Sequence, residues 1–114
     1  MVRMDQSHKM KLENFFRAGR SMSERLDHIA RRKPDVRHWC EKIEWKAIEI
    51  TTTIKGVKLS NASKGKFSKD ELVLMNALMD ASHAVQAIHD VLSSHLLPRE
   101  TELSVIATRL TVAL

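Results

Sequence analysis

The chain contains no tyrosine, one cysteine, two prolines and three glycines, and its only aromatics are three phenylalanines and two tryptophans. So few turn formers and aromatics exclude the many short strands of an all-β fold and point to helices. The lone Cys40 excludes an internal disulfide and fits a reducing compartment. No apolar run approaches the roughly 18 residues that a membrane span requires. The opening stretch, MVRMDQSHKMKL, lacks the apolar core of a secretory signal. The expectation is a cytoplasmic protein of one domain, 114 residues being an ordinary domain's length.

Acids are missing from one stretch altogether. Residues 55–69 carry five lysines and no acid. Residues 1–33 carry nine basic and four acidic side chains, residues 34–54 three and four, and residues 70–114 two and six. The first 69 residues are therefore basic and the remainder acidic, within a net charge of +5. Such asymmetry suggests an anionic partner, or self-association between unlike surfaces.

What the chain has in quantity is helical periodicity. Val36, Trp39, Cys40, Ile43, Ala47, Ile50, Ile54 and Val57 recur at steps of three and four and predict an amphipathic helix over residues 34–58. Pro34 suits its first position and Asp35 its first turn. Upstream, Leu12, Phe15, Gly19, Met22, Leu26, Ile29 and Ala30 hold one phase and predict a helix over 7–32, with Phe16 on its flank. Gly19 is awkward there, costing about 1 kcal/mol relative to alanine. Ser21-Met22-Ser23-Glu24 also has the form of a capping box. A break at Gly19 is thus the alternative, but the unbroken stripe favours one helix.

The stretch 59–68 reads as a basic loop, with Ser60, Asn61, Ser63 and Gly65 as turn formers. Ser68, Asp70 and Glu71 then start a third helix over 69–96. Leu74, Leu78, Ala81, Val85, Ile88 and Leu92 form its centre, with Leu72, Met75 and Met79 to one side. Asn76, Asp80, His83, Asp90 and Ser94 form its wet face. Pro98 stops that helix and opens a fourth over 99–113, in which Leu103, Ile106, Ala107 and Leu110, with Leu114 just beyond, repeat the pattern. Such short joints between helices predict an all-α, antiparallel four-helix bundle.

Chemistry-bearing motifs are scarce. His83, His89 and His95 are six apart, which spreads them around a helix, and no pair has metal-ligand spacing. No metal, cofactor or small-molecule substrate is expected. There is no glycine-rich phosphate loop and no nucleophile with an obvious base, so the chain does not read as an enzyme. Arg32 and His38 match a loose spacing used by some helical RNA-cleaving domains, but they straddle Pro34, where one helix cannot hold both. This keeps an RNA-cleaving enzyme only as a remote third reading. A helix-turn-helix across residues 29–39 lacks the usual three- to four-residue turn. Cys40 and Trp39 belong to the apolar stripe and are expected in the core.

Two features remain. Trp45 and Ile48 fall outside the stripe, on the far side of the second helix, where Thr52 continues their face and Glu41, His38 and Lys55 rim it. Tryptophan is a frequent interface anchor, so this face predicts a homodimer or a docking site for a protein partner. In an up-down-up-down bundle, Lys9 and Lys11 meet Lys55, Lys58, Lys64, Lys66 and Lys69 at one pole. The first reading is a small regulatory or adaptor protein that docks through its second helix. The alternative is a nucleic-acid-binding protein that uses the basic pole.

Overall fold

The computed structural model describes residues 6–61, 67–93 and 100–114. Four helices follow one another: α1 (Gln6–Arg32), α2 (Arg37–Asn61), α3 (Lys69–Ser93) and α4 (Glu100–Ala113). A 3₁₀ turn, Pro34–Val36, leads into α2. Together they form an all-α four-helix bundle.

Helix α1 is continuous through Gly19, as the unbroken stripe predicts. Phe15 and Met22, fully buried on either side, hold the helix by packing, which outweighs the intrinsic cost of the glycine. The box at Ser21 caps nothing. Its inner serine, Ser23, instead donates a hydrogen bond to Glu44 of α2 at 2.9 Å. At the end of α1 the Lys33 amide still bonds the Ile29 carbonyl at 2.8 Å, and the backbone then turns out at Lys33 with φ −136°. Pro34 follows at the start of the 3₁₀ turn, where its missing N–H costs nothing.

Helix α2 runs further than its stripe suggests. Ser60 and Asn61 are helical and do not form the expected turn. Serine and asparagine are only mildly disfavoured in helices, and no proline intervenes to stop the chain. Ser63, Lys64, Gly65 and Lys66 of the expected loop lie outside the described residues, as do Ser94, Pro98 and the last turn expected for the third helix. The start of α3 is a complete capping box. The Glu71 amide donates to Ser68 Oγ at 3.2 Å, and the Ser68 amide donates back to Glu71 Oε1 at 3.1 Å.

Sequential helices alternate in direction, but the lateral neighbours are not all sequential. α1 packs on α2 and on α3, α4 packs on the same two, and α2 meets α3 more sparingly across the centre. α1 and α3 run parallel: Ser82 Oγ donates to the Ala18 carbonyl at 3.2 Å, and the His28 and His89 rings meet further along. The core is one cluster drawn from all four helices, including Phe15, Ile29, Ile43, Ile50, Leu78 and Leu110.

Helix α4 is short. Its 14 residues span roughly 21 Å, against roughly 37 Å for the 25 residues of α2 or α3. This corrects the reading of α3 in one place: Met75, expected to one side, is fully buried, while Leu74, expected at the centre, is only half-buried. Leu74 shares a flank of α3 with Ala81 and Ile88 but lies near the start of the helix, two turns before Ala81. Met75 turns to α1, which accompanies α3 along its length. Asn76, Asp80, His83 and Asp90 are exposed as expected. No helix among the described residues is long and apolar enough to cross a membrane.

Candidate docking surface

The orientation of α2 is set by Val36, Cys40, Ile43, Ala47, Ile50 and Ile54, all of them buried. At about 100° per residue Trp45 must then point almost directly away from the core, with Thr52 near it and Ile48 turned toward α1. The structure bears this out: Trp45 is 67% and Ile48 50% exposed, and Thr52 is exposed beside them. Glu41, also exposed, pairs with Arg37 one turn before it at 3.3 Å.

Trp39 departs from expectation. It is half-buried, and its indole N–H donates to Glu100 Oε1 of α4 at 2.7 Å. An indole N–H seeks a hydrogen-bond partner, so the ring lays one side on the core and keeps its polar edge at the surface. His38 joins the same corner, with Nε2 3.6 Å from Glu100 and its ring 5.0 Å from that of Trp39. His38 therefore serves the α2–α4 corner more than the rim of the Trp45 face. Arg32, its partner in the RNA-cleaving reading, ends α1 on the other side of the 3₁₀ turn.

A groove of about 720 Å³ opens beside Ile48, along the seam between α1 and α2. Phe16, Gly19 and Ala47 contribute apolar lining, and Arg17, Arg20 and Lys55 contribute charge. Two cross-links bound it. Ser23 meets Glu44 at one end, and the Lys55 ammonium lies 5.4 Å over the Phe16 ring at the other. Beyond Glu44 the seam continues as a second groove of about 480 Å³, lined by Asp27, Glu41 and Cys40 among others. Burial pushes the Cys40 thiol up to about 11, and the charges of Asp27, Glu41 and Glu44 push the same way. The thiol therefore stays protonated at neutral pH and is a poor nucleophile.

The basic pole is assembled by helix direction. The start of α1, the end of α2 and the start of α3 lie at one end of the bundle, which brings together the positions of Lys9, Lys11, Lys55, Lys58 and Lys69. Lys55 and Lys69 are exposed, while Lys64 and Lys66 lie outside the described residues.

Sequence reasoning missed the contacts made across helices. Glu100 could have been anticipated, since an antiparallel bundle returns the start of the fourth helix to the proline joint. Glu44 could have been, because it shares a flank of α2 with Thr51. Nothing along the chain pairs His28 with His89, which are brought together only by the parallel packing of α1 and α3. No family model, curated protein or solved structure matches the chain.

Proposed function

We propose that this is a small non-catalytic docking protein, of regulatory or adaptor type, whose working surface is the outer face of α2. The observation that carries the reading is Trp45. A tryptophan two-thirds exposed on a helix whose opposite side is fully buried offers roughly 150–250 Å² to a partner and is no part of the monomer's buried core. Ile48 widens the patch toward the groove, and Thr52 extends it.

The occupant we infer is a second copy of this chain. Glu41 and Lys55 stand seven residues either side of Ile48. In an antiparallel α2–α2 contact centred on Ile48, each Glu41 faces the Lys55 of the other copy, and each Trp45 lies beside the other copy's Thr51 and Thr52. One self-complementary patch suffices for such a two-fold contact, the commonest kind of assembly. The Arg37 and Phe16 contacts that Glu41 and Lys55 make in the monomer are exposed and cheap to exchange.

Sedimentation tests this directly. The wild-type protein is expected to be dimeric at micromolar concentration and Trp45→Glu monomeric, with helix content by circular dichroism nearly unchanged, since substitutions at exposed sites shift stability by about 0.5 kcal/mol or less. A wild-type protein that stays monomeric at high concentration removes the dimer. If Trp45→Glu also unfolds the chain, the outward face of α2 is part of the fold and the reading fails.

A second reading, nucleic-acid binding, is favoured by the gathering of lysine positions at one end of the bundle. It places phosphate contacts, not base contacts, at the pole, because half-buried Phe67 is the one aromatic side chain beside those lysines in sequence.

A further inference from the structure

The groove of about 720 Å³ between α1 and α2 has the size of an ordinary small-molecule site. Its floor is apolar: Phe16, Gly19 and Leu26 supply it from α1, and Ala47 and Ile48 from α2. The hydroxyls beside that floor already have partners. Thr51 Oγ1 donates to the Ala47 carbonyl at 2.8 Å, and Ser23 Oγ donates to Glu44 at 2.9 Å. What the floor offers a ligand is therefore hydrocarbon surface.

The cations on its walls are not engaged in the same way. Arg17 and Arg20, one turn apart on α1, are exposed, and neither stands in an ion pair among the described residues. Lys55 comes in from α2, its ammonium 5.4 Å over the Phe16 ring. Two contacts between the helices set the level of these groups, with Phe16 opposite Lys55 and Ser23 opposite Glu44. Arg17 thus lies at the Lys55 end, Arg20 further in, and Glu44 at the far end. Glu13 is the acid at the Lys55 end, where Arg17 and Lys55 outnumber it. One end favours an anion, the other disfavours it, and the floor between them favours a hydrocarbon.

We propose that this groove binds a free acyl carboxylate of medium length. Its head sits among Arg17, Arg20 and Lys55, and its chain lies along Gly19, Ala47 and Ile48 toward Leu26. A guanidinium suits the head because it can meet both carboxylate oxygens at once. A linear chain suits the floor because the apolar residues follow the helix axes, and Phe16 to Ser23 spans roughly 10 Å. The ligand is a free acid and not a membrane lipid. The groove runs along the side of the bundle and takes a chain lengthwise, whereas a bilayer presents its chains end-on. The site lies within one chain and does not depend on the proposed dimer, although Ile48, Thr52 and Lys55 belong to both surfaces.

The test is titration of the full chain with decanoate, below its micellar concentration, followed by calorimetry and by backbone amide NMR. It is run on wild-type protein and on Trp45→Ala, which removes the dimer anchor without adding charge. Both should bind with a dissociation constant of about 0.1 mM, and the amides of Gly19, Ala47 and Thr51 should shift most. From hexanoate to decanoate the affinity should rise about two- to fourfold per methylene. Decyltrimethylammonium, with the same chain and the opposite charge, should bind at least about tenfold more weakly. Arg17→Gln combined with Arg20→Gln should weaken decanoate about tenfold, and Arg32→Gln, exposed at the end of α1, should leave it unchanged. The ligand series on wild-type protein decides the matter even if the double variant fails to fold. A monomeric wild-type protein that binds decanoate removes the dimer and keeps this site. No binding at about 5 mM, binding only to anionic vesicles, equal binding of the cationic chain, or an affinity indifferent to chain length would overturn the proposal. So would shifts away from the seam, or binding lost in Trp45→Ala.

Discussion

At the scale of single residues, the contact between His28 and His89 makes a prediction. His28 titrates below its ordinary 6.5, chiefly because burial disfavours the charged ring and secondarily because His89, Arg32 and Arg31 repel it. From α3 it faces His89 with Asp90 beside it, and from α1 the two arginines. The unfolded chain therefore takes up this proton at higher pH than the folded one does. Stability from this group is full above about 6.5 and falls as the pH drops through that value toward the lowered one. The unfolding midpoint of wild-type protein should fall more between about pH 7.5 and about pH 5.5 than that of His28→Gln, and an equal fall would contradict the assignment. Gly19 makes the second residue-scale prediction. A Cβ there meets Thr51 Oγ1 at 3.6 Å and Leu78 Cδ2 at 3.7 Å, both ordinary contacts. Gly19→Ala should then stabilise the protein by about 1 kcal/mol, read as a midpoint raised by roughly 5 °C. A loss of stability would mean that Thr51 or Leu78 cannot give way.

At the scale of the helix, the start of α3 is held by a reciprocal pair of hydrogen bonds between Ser68 and Glu71. Ser68→Ala removes the acceptor for the Glu71 amide and should cost about 1 kcal/mol, whereas Ser68→Gly should cost only about a few tenths. Urea denaturation of the two variants separates the cap from a mere packing effect, and equal losses would rule the cap out. This helix start is legible in the residues themselves, because a capping box is local chemistry. The end of α2 is less so: Ser60 and Asn61 have turn chemistry, yet they remain in a helix that nothing breaks. Leu74 and Met75 illustrate a different limit. Both are apolar and adjacent, and which of them is buried depends on which helices pack along each flank of α3. Their periodicity cannot express that packing.

At the scale of the whole molecule, the basic pole is the feature that helix direction creates. If it grips nucleic acid, replacing Lys58, Lys64 and Lys66 with glutamine should flatten the salt dependence of binding, by about one unit of slope for each phosphate no longer neutralised. Wild-type protein that is not retained on DNA or RNA at about 50 mM salt would remove that reading and leave the α2 face as the working surface. The two surfaces share Lys55 but are centred apart, since Trp45 is midway along α2 and the other lysine positions of the pole lie toward the end of α2 and the starts of α1 and α3. Loss of one activity with retention of the other would therefore assign the role.

By itself the sequence determined the helical class, the Pro34 joint, the capped start of α3 and the outward direction of Trp45 and Ile48. Each of these follows from period, capping or backbone chemistry within a few residues, where one helix's geometry is enough. Tertiary structure alone decided that α1 and α3 lie side by side and parallel, that Trp39 shares its indole with Glu100, that a groove opens between α1 and α2, and that His28 meets His89. Those outcomes depend on which helices become neighbours and on their relative lengths. Apolar burial drives the helices together whatever their order, because it is non-directional, so the polar contacts between them are fixed only once the packing is.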